Sequence, residues 1–188
     1  PRVDMVQTAF KEWAVIVEAL GLGEQIVILR KGGIAEGRSG FRAEHERFWL
    51  FPTRFHQQAE GVVPEVAGRF GAMTFPSDDI LRIQYAAEVV ETRRLESLSA
   101  AQRLAGQHIW RDEVIAERFD WGRDQGIYAM AVRVRQLAEP LDLPMLESYG
   151  GCKSWIELEP EMDFTCATPV LEAVGFDRKL AVFREALA

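Results

Sequence analysis

Cysteine is nearly absent from this chain. Its 188 residues include two, Cys152 and Cys166, too few for a disulfide framework or an all-cysteine zinc site. Histidine is almost as scarce, with three copies. No apolar run approaches the roughly 20 residues that a membrane helix needs. No basic start followed by an apolar stretch is visible, so the expectation is a cytoplasmic protein without a membrane span. The standard phosphate and zinc spellings are also missing: GxxxxGK[ST], GxGxxG and HExxH do not occur.

What remains is ordinary globular material. Apolar residues make up 48% of the chain and charged residues 27%, enough for a core and too rich for a disordered segment. The length and the lack of a long polar linker predict one domain over 1–188. The net charge is −7, which argues against nonspecific nucleic-acid binding over the whole surface. The acidic excess lies in residues 95–188, whereas 1–94 are nearly neutral. Within 30–54, Arg30, Lys31, Arg38, Arg42, Arg47 and Arg54 outnumber Glu36, Glu44 and Glu46. A small basic site on an acidic body suits a phosphate or a short stretch of nucleic acid, and a solvated arginine-rich face gives the same pattern.

Residues 13–20 and 25–30 are rich in β-branched side chains and flank Gly21-Leu22-Gly23-Glu24, which predicts a β-hairpin with a glycine turn. A third strand is expected at 47–51, ended by Pro52. Over 53–79, glycines and prolines allow only turns and one brief helix. Alternation predicts a strand at 80–90 with Leu81, Ile83, Tyr85, Ala87 and Val89 on one face. Ser99 caps a helix over 100–105, and a second helix covers 110–118. A strand at 127–137 places Tyr128, Met130, Val132 and Val134 together, with Arg133 and Arg135 opposite. Pro140 and Pro144 mark an extended connection, 154–158 is a short strand, and Pro169 opens a C-terminal helix or helix pair interrupted at Gly175. Strands and helices do not alternate regularly, so the expected class is mixed α+β, with a strongly bent sheet or a small barrel and peripheral helices.

Several landmarks occur in a fixed order: Lys11-Glu12-Trp13-Ala14, Arg30-Lys31-Gly32-Gly33-Ile34, Glu44-His45, Phe51-Pro52-Thr53 with His56-Gln57, His108-Ile109-Trp110, Arg133-Val134, and Tyr149-Gly150-Gly151-Cys152-Lys153-Ser154-Trp155. Over about residues 9–172 the chain resembles the uncharacterised bacterial family DUF1802. Arg135 departs from the pattern, where an aromatic residue is expected. The resemblance implies a restriction or DNA-defence setting, because some members are similar to proteins with a type I restriction-enzyme-like nuclease segment. The order of elements also resembles the PUA-like modules of the EVE and ASCH groups, small barrels that bind RNA or modified DNA bases.

Three sets of residues carry candidate chemistry. Arg30-Lys31 beside two glycines can cradle an anion, with Arg42 and Arg54 as further phosphate contacts. Trp49, Tyr149 and Trp155 can stack on a base, with Lys153 beside them. Cys152 next to Lys153 reads either as a nucleophile or as a structural cysteine. Glu44, His45 and His56 can hold a metal or move protons, although 11 residues separate the histidines and no metal-binding spacing links them, so no metal site is assigned. No nuclease or Nudix motif is present. The leading expectation is a module that binds DNA or RNA, recognising a modified or flipped base. The alternatives are a metal-dependent or acid–base enzyme acting on nucleic acid or nucleotide phosphates, and an interaction protein with no ligand. A shared pocket for Arg30, His45, His56 and Trp155 is the geometric expectation of the first.

Overall fold

The computed structural model describes residues 3–31 and 45–188. The fold is mixed α+β, a strongly bent sheet with peripheral helices. The strands are β1 (Met5–Trp13), β2 (Val27–Arg30), β3 (Arg47–Thr53), β4 (Ile80–Leu95), β5 (Ile127–Pro144), β6 (Trp155–Asp163) and β7 (Ala167–Pro169). Their order is β2-β5-β4-β3-β1-β6, with β7 added beside β5. β1 and β3 are parallel, and the other pairs are antiparallel.

The predicted hairpin at 13–30 is wrong in its first arm. Residues Ala14–Gly21 form helix α1, not a strand. Seven of its eight residues are buried, so it lacks the polar stripe that marks a surface helix. Local β-branched character was overridden by packing on all sides. Gly23, at φ +73°, turns the chain from this helix towards β2.

Both faces of the sheet are covered, and β3 shows why its sequence is apolar throughout. Phe48 and Leu50 pack into one core with Phe10, α1 and Trp110. Trp49 and Phe51 pack into a second with Ala9, Tyr149, Leu158 and Phe164. β4 supplies both cores in turn. A bulge between Ile83 and Tyr85 shifts its alternation, so Leu81, Ile83 and Ala86 enter the second core while Tyr85, Ala87 and Val89 face the first. The single face expected for these residues is therefore split.

The 53–79 segment forms short 3-10 turns and one brief helix, α2 (Gly68–Ala72), as expected. Helix α3 (Leu98–Gln102) starts earlier than read, because Ser97, not Ser99, accepts the capping bond from Ala100. Helix α4 (Asp112–Asp120) buries Ile115 and Phe119. Pro140 and Pro144 lie inside β5. The C-terminal helix α5 (Ala173–Ala186) is one uninterrupted element, and Phe176, Leu180 and Phe183 seat it on the first core. No helix among the described residues is long and apolar enough to cross a membrane.

Candidate site at the seam of the sheet

Because β1 and β3 run in parallel, Lys11-Glu12-Trp13 ends level with Phe51-Pro52-Thr53. β6 begins at the same end, with Trp155 paired to Phe10 and the Lys11 N–H donating to the Ser154 carbonyl. β2 occupies the opposite edge of the sheet. The bend nevertheless brings its last residue back to this end. The Arg30 guanidinium donates to the Ser154 hydroxyl at 3.2 Å and lies 4.9 Å from the Phe10 ring centre. Among the described residues, no backbone ladder joins β2 to β6. Side chains close the seam instead.

The seam gathers most of the landmarks. Thr53 donates its hydroxyl to the Glu12 carbonyl, and Gln58 bridges the Thr53 carbonyl and the Val15 N–H. Lys11 is buried, and its ammonium donates to the Gly151 carbonyl at 3.2 Å. Burial, reinforced by the charge of Lys153, lowers its pKa. Trp155 packs edge-on against Phe48 and His45 and tilted on Phe10.

Three residues of this centre were missed as site residues. Glu12 is 1% exposed; its Oε1 accepts the Trp13 N–H, while its Oε2 takes no hydrogen bond from a described residue. Arg118 reaches inward from α4, between the rings of Trp13 and Trp110 at about 5 Å from each, and donates to the Leu29 carbonyl. Burial lowers its pKa to about 10 against the opposing pull of Glu12. His108 is buried beside Trp110, and desolvation brings its pKa down to about 4. The landmarks KEWA and HIW pointed to Glu12 and His108. Nothing in the helical pattern of α4 distinguished Arg118.

On the outer side of the seam, Arg30, Lys31, Glu117, Arg118 and Trp121 enclose a cleft of about 330 Å³. Trp121 is 53% exposed. The Lys31 ammonium donates to the carbonyls of Phe119, in the last turn of α4, and of Asp124 beyond it. Its pKa is lowered by burial and then by Arg94. Tyr128 is paired in register with Arg30 on one side and Arg94 on the other. Arg94 donates to the Tyr128 hydroxyl at 3.2 Å.

The other sequence-based candidates fall elsewhere. Trp49 is wholly buried and donates its indole N–H to the Val6 carbonyl, so no base can reach its face. Tyr149 is also a core residue, and its hydroxyl accepts the Glu159 N–H. Arg54 is a loop clamp: it donates to the carbonyls of Pro76 and Ile80 and covers the Phe75 ring. Lys153 and Cys152 are exposed next to the seam. His45 and His56 lie beyond opposite ends of β3, whose seven residues span roughly 20 Å. They cannot share one ion, and of the four residues expected to line one pocket only Arg30 lines the cleft described above, while His45 packs on Trp155. Arg42 and Glu44 lie outside the described residues. Among the described residues, no three histidine, cysteine or acidic side chains are grouped to hold a metal ion.

Comparison with known proteins decides the family. The model of the family described as "Domain of unknown function (DUF1802)" matches residues 9–181. The chain belongs to the DUF1802 family. No curated protein matches it. Among solved structures, this DUF1802 chain is similar to ASCH from Zymomonas mobilis, with a TM-score of 0.47 at 10% identity over 93% of this chain and 92% of that one. A Tyr-to-Phe mutant of that protein gives a TM-score of 0.46 at 11% identity, covering 93% and 95% of the two chains. A Ser-to-Ala mutant gives 0.44 at 12% identity, covering 96% and 97%.

Proposed function

We propose that this protein binds a nucleic-acid strand at the seam of its sheet, with Arg30 facing phosphate oxygens and Trp121 or Trp155 stacking on a base. The observation that carries this reading is the convergence of Arg30, Lys31 and Arg118 on one cleft beside an exposed tryptophan. The chain is acidic overall, and Arg30 and Lys31 lie side by side at this cleft, which favours a local contact over general adhesion. Guanidinium groups bind phosphate in a fork, and aromatic faces accept any base. The cleft suits an unpaired or flipped nucleotide better than a duplex groove, because it is a pocket and not a protruding helix or ribbon. A restriction or DNA-defence setting is the context we favour, on the strength of the family resemblance. The acid–base alternative loses its pairing, since His45 and His56 stand apart.

Ultraviolet crosslinking to short single-stranded DNA and RNA carrying 5-bromouracil tests the reading. Crosslinked peptides are expected from residues 117–121 and 153–155. Crosslinks confined to other surfaces, or none with either nucleic acid, would refute it.

A further inference from the structure

A second cavity, of about 320 Å³, opens between α1, β3, β4 and the segment after α2. It shares no lining residue with the seam cleft. Val17, Leu50, Met73 and Phe75 give it apolar walls, and Glu18, Gln84, Tyr85 and the Asp142-paired Arg82 give it polar ones. Its size stands at the low end of the roughly 300–1,000 Å³ usual for small-molecule sites.

The Tyr85 wall is built by a missing side chain. A Cβ on Gly21 would lie 2.2 Å from Tyr85 Cζ, so only glycine lets the phenol rest on α1. Glu18 stands three residues earlier on the same helical face, beside that ring. The Tyr85 pKa is raised by burial and then by the Glu18 charge, which keeps the hydroxyl protonated. The Glu18 Oε2 is buried and receives no hydrogen bond from a described residue. A buried carboxylate oxygen is costly unless a donor reaches it. The nearby cations are committed elsewhere: Arg69 pairs with Glu24, and Arg82 with Asp142.

We propose that this cavity binds a small organic cation with a flat apolar body, such as an amidine or an aminated heterocycle. The N–H groups of the ligand donate to Glu18, and its ring lies among Tyr85, Met73 and Phe75. A carboxylate of the same shape is repelled by Glu18 and finds no free cation to replace the loss.

Benzamidine and benzoate are the matched probes, followed by amide and side-chain NMR of the labelled protein. Benzamidine is expected to shift the Glu18 amide and the Tyr85 ring in a saturable way, and benzoate to leave both unmoved. Glu18→Gln is nearly isosteric and is expected to fold while weakening benzamidine about tenfold, as loss of a charged hydrogen bond implies. Tyr85→Phe keeps the ring and is expected to weaken it less. The proposal is overturned if benzamidine shifts nothing here, if benzoate binds equally well, or if Glu18→Gln binds as tightly as the wild type. Should Glu18→Gln fail to fold, the contrast between the two probes on the wild-type protein decides the matter.

Discussion

Arg30 and Ser154, 124 residues apart in sequence, meet at 3.2 Å and join the two edges of the sheet. Arg30 ends β2 at one edge, and Ser154 precedes β6 at the other. The bend thus ends in a side-chain bond where a closed barrel would have a ladder. The same Arg30 also lines the cleft.

Arg30 and Lys31 are expected to separate under mutation. Lys31→Ala removes an ammonium that donates to one carbonyl in the last turn of α4 and one in the loop after it, so it should cost stability, roughly 1–2 kcal/mol. Arg30→Ala should cost less stability and more nucleic-acid affinity. Urea denaturation read beside fluorescence anisotropy distinguishes the two. Equal losses from both variants in both assays would count against this division of labour.

The tryptophans should separate as well. Trp49→Ala truncates a fully buried side chain and is expected to destabilise the fold by about 3–5 kcal/mol. Trp155→Ala removes a half-buried ring from the seam and should cost less stability. It should lower affinity by about 1–3 kcal/mol with the salt dependence unchanged. Calorimetric melting and binding titrations of the same preparations provide the check.

Acid should weaken the fold through His108. Its folded pKa of about 4 lies below the ordinary imidazole value of 6.5, so between these pH values the unfolded chain binds the extra proton. Stability from the neutral imidazole is complete above pH 6.5 and is lost as pH falls towards 4, with a full span of about 3 kcal/mol. His108→Gln should flatten the melting temperature across that window. An unchanged pH profile in the variant would assign the acid sensitivity to other groups.

Arg118 should resist replacement. Arg118→Met removes the cation that opposes the buried Glu12 charge, and about 3 kcal/mol of destabilisation is expected. Glu12→Gln added to Arg118→Met should recover part of it. Denaturant unfolding of the two single variants and the double variant measures the coupling, and strict additivity would show that the two groups do not interact.

Much of the architecture was legible because it rests on local pattern. The alternation in β4 and β5, the breakers over 53–79 and the apolar run in β3 all marked their elements. Helix α1 was not legible, since burial on every side erased its period and left a β-branched string. The bulge at residue 84 was equally hidden, because the polar–apolar alternation of the sequence runs unbroken through Ile83, Gln84 and Tyr85. At the site, Arg30 and Trp155 stood out beside glycines. Trp49, Tyr149 and Arg54 stood out for the same reasons of type, yet tertiary partners consumed their polar groups. Arg118 is the converse case: only the fold places it between two tryptophans.

The most direct measurement of the central claim is the salt dependence of single-strand binding by the wild type, Arg30→Ala and Arg54→Ala. Arg30 faces the cleft, whereas Arg54 spends its donors on two carbonyls. The plot of log affinity against log salt should lose about one unit of slope in Arg30→Ala. In Arg54→Ala it should keep the wild-type slope. A wild type with no salt-dependent binding to DNA or RNA, or an Arg54→Ala variant that loses as much slope as Arg30→Ala, would contradict a phosphate contact at the seam.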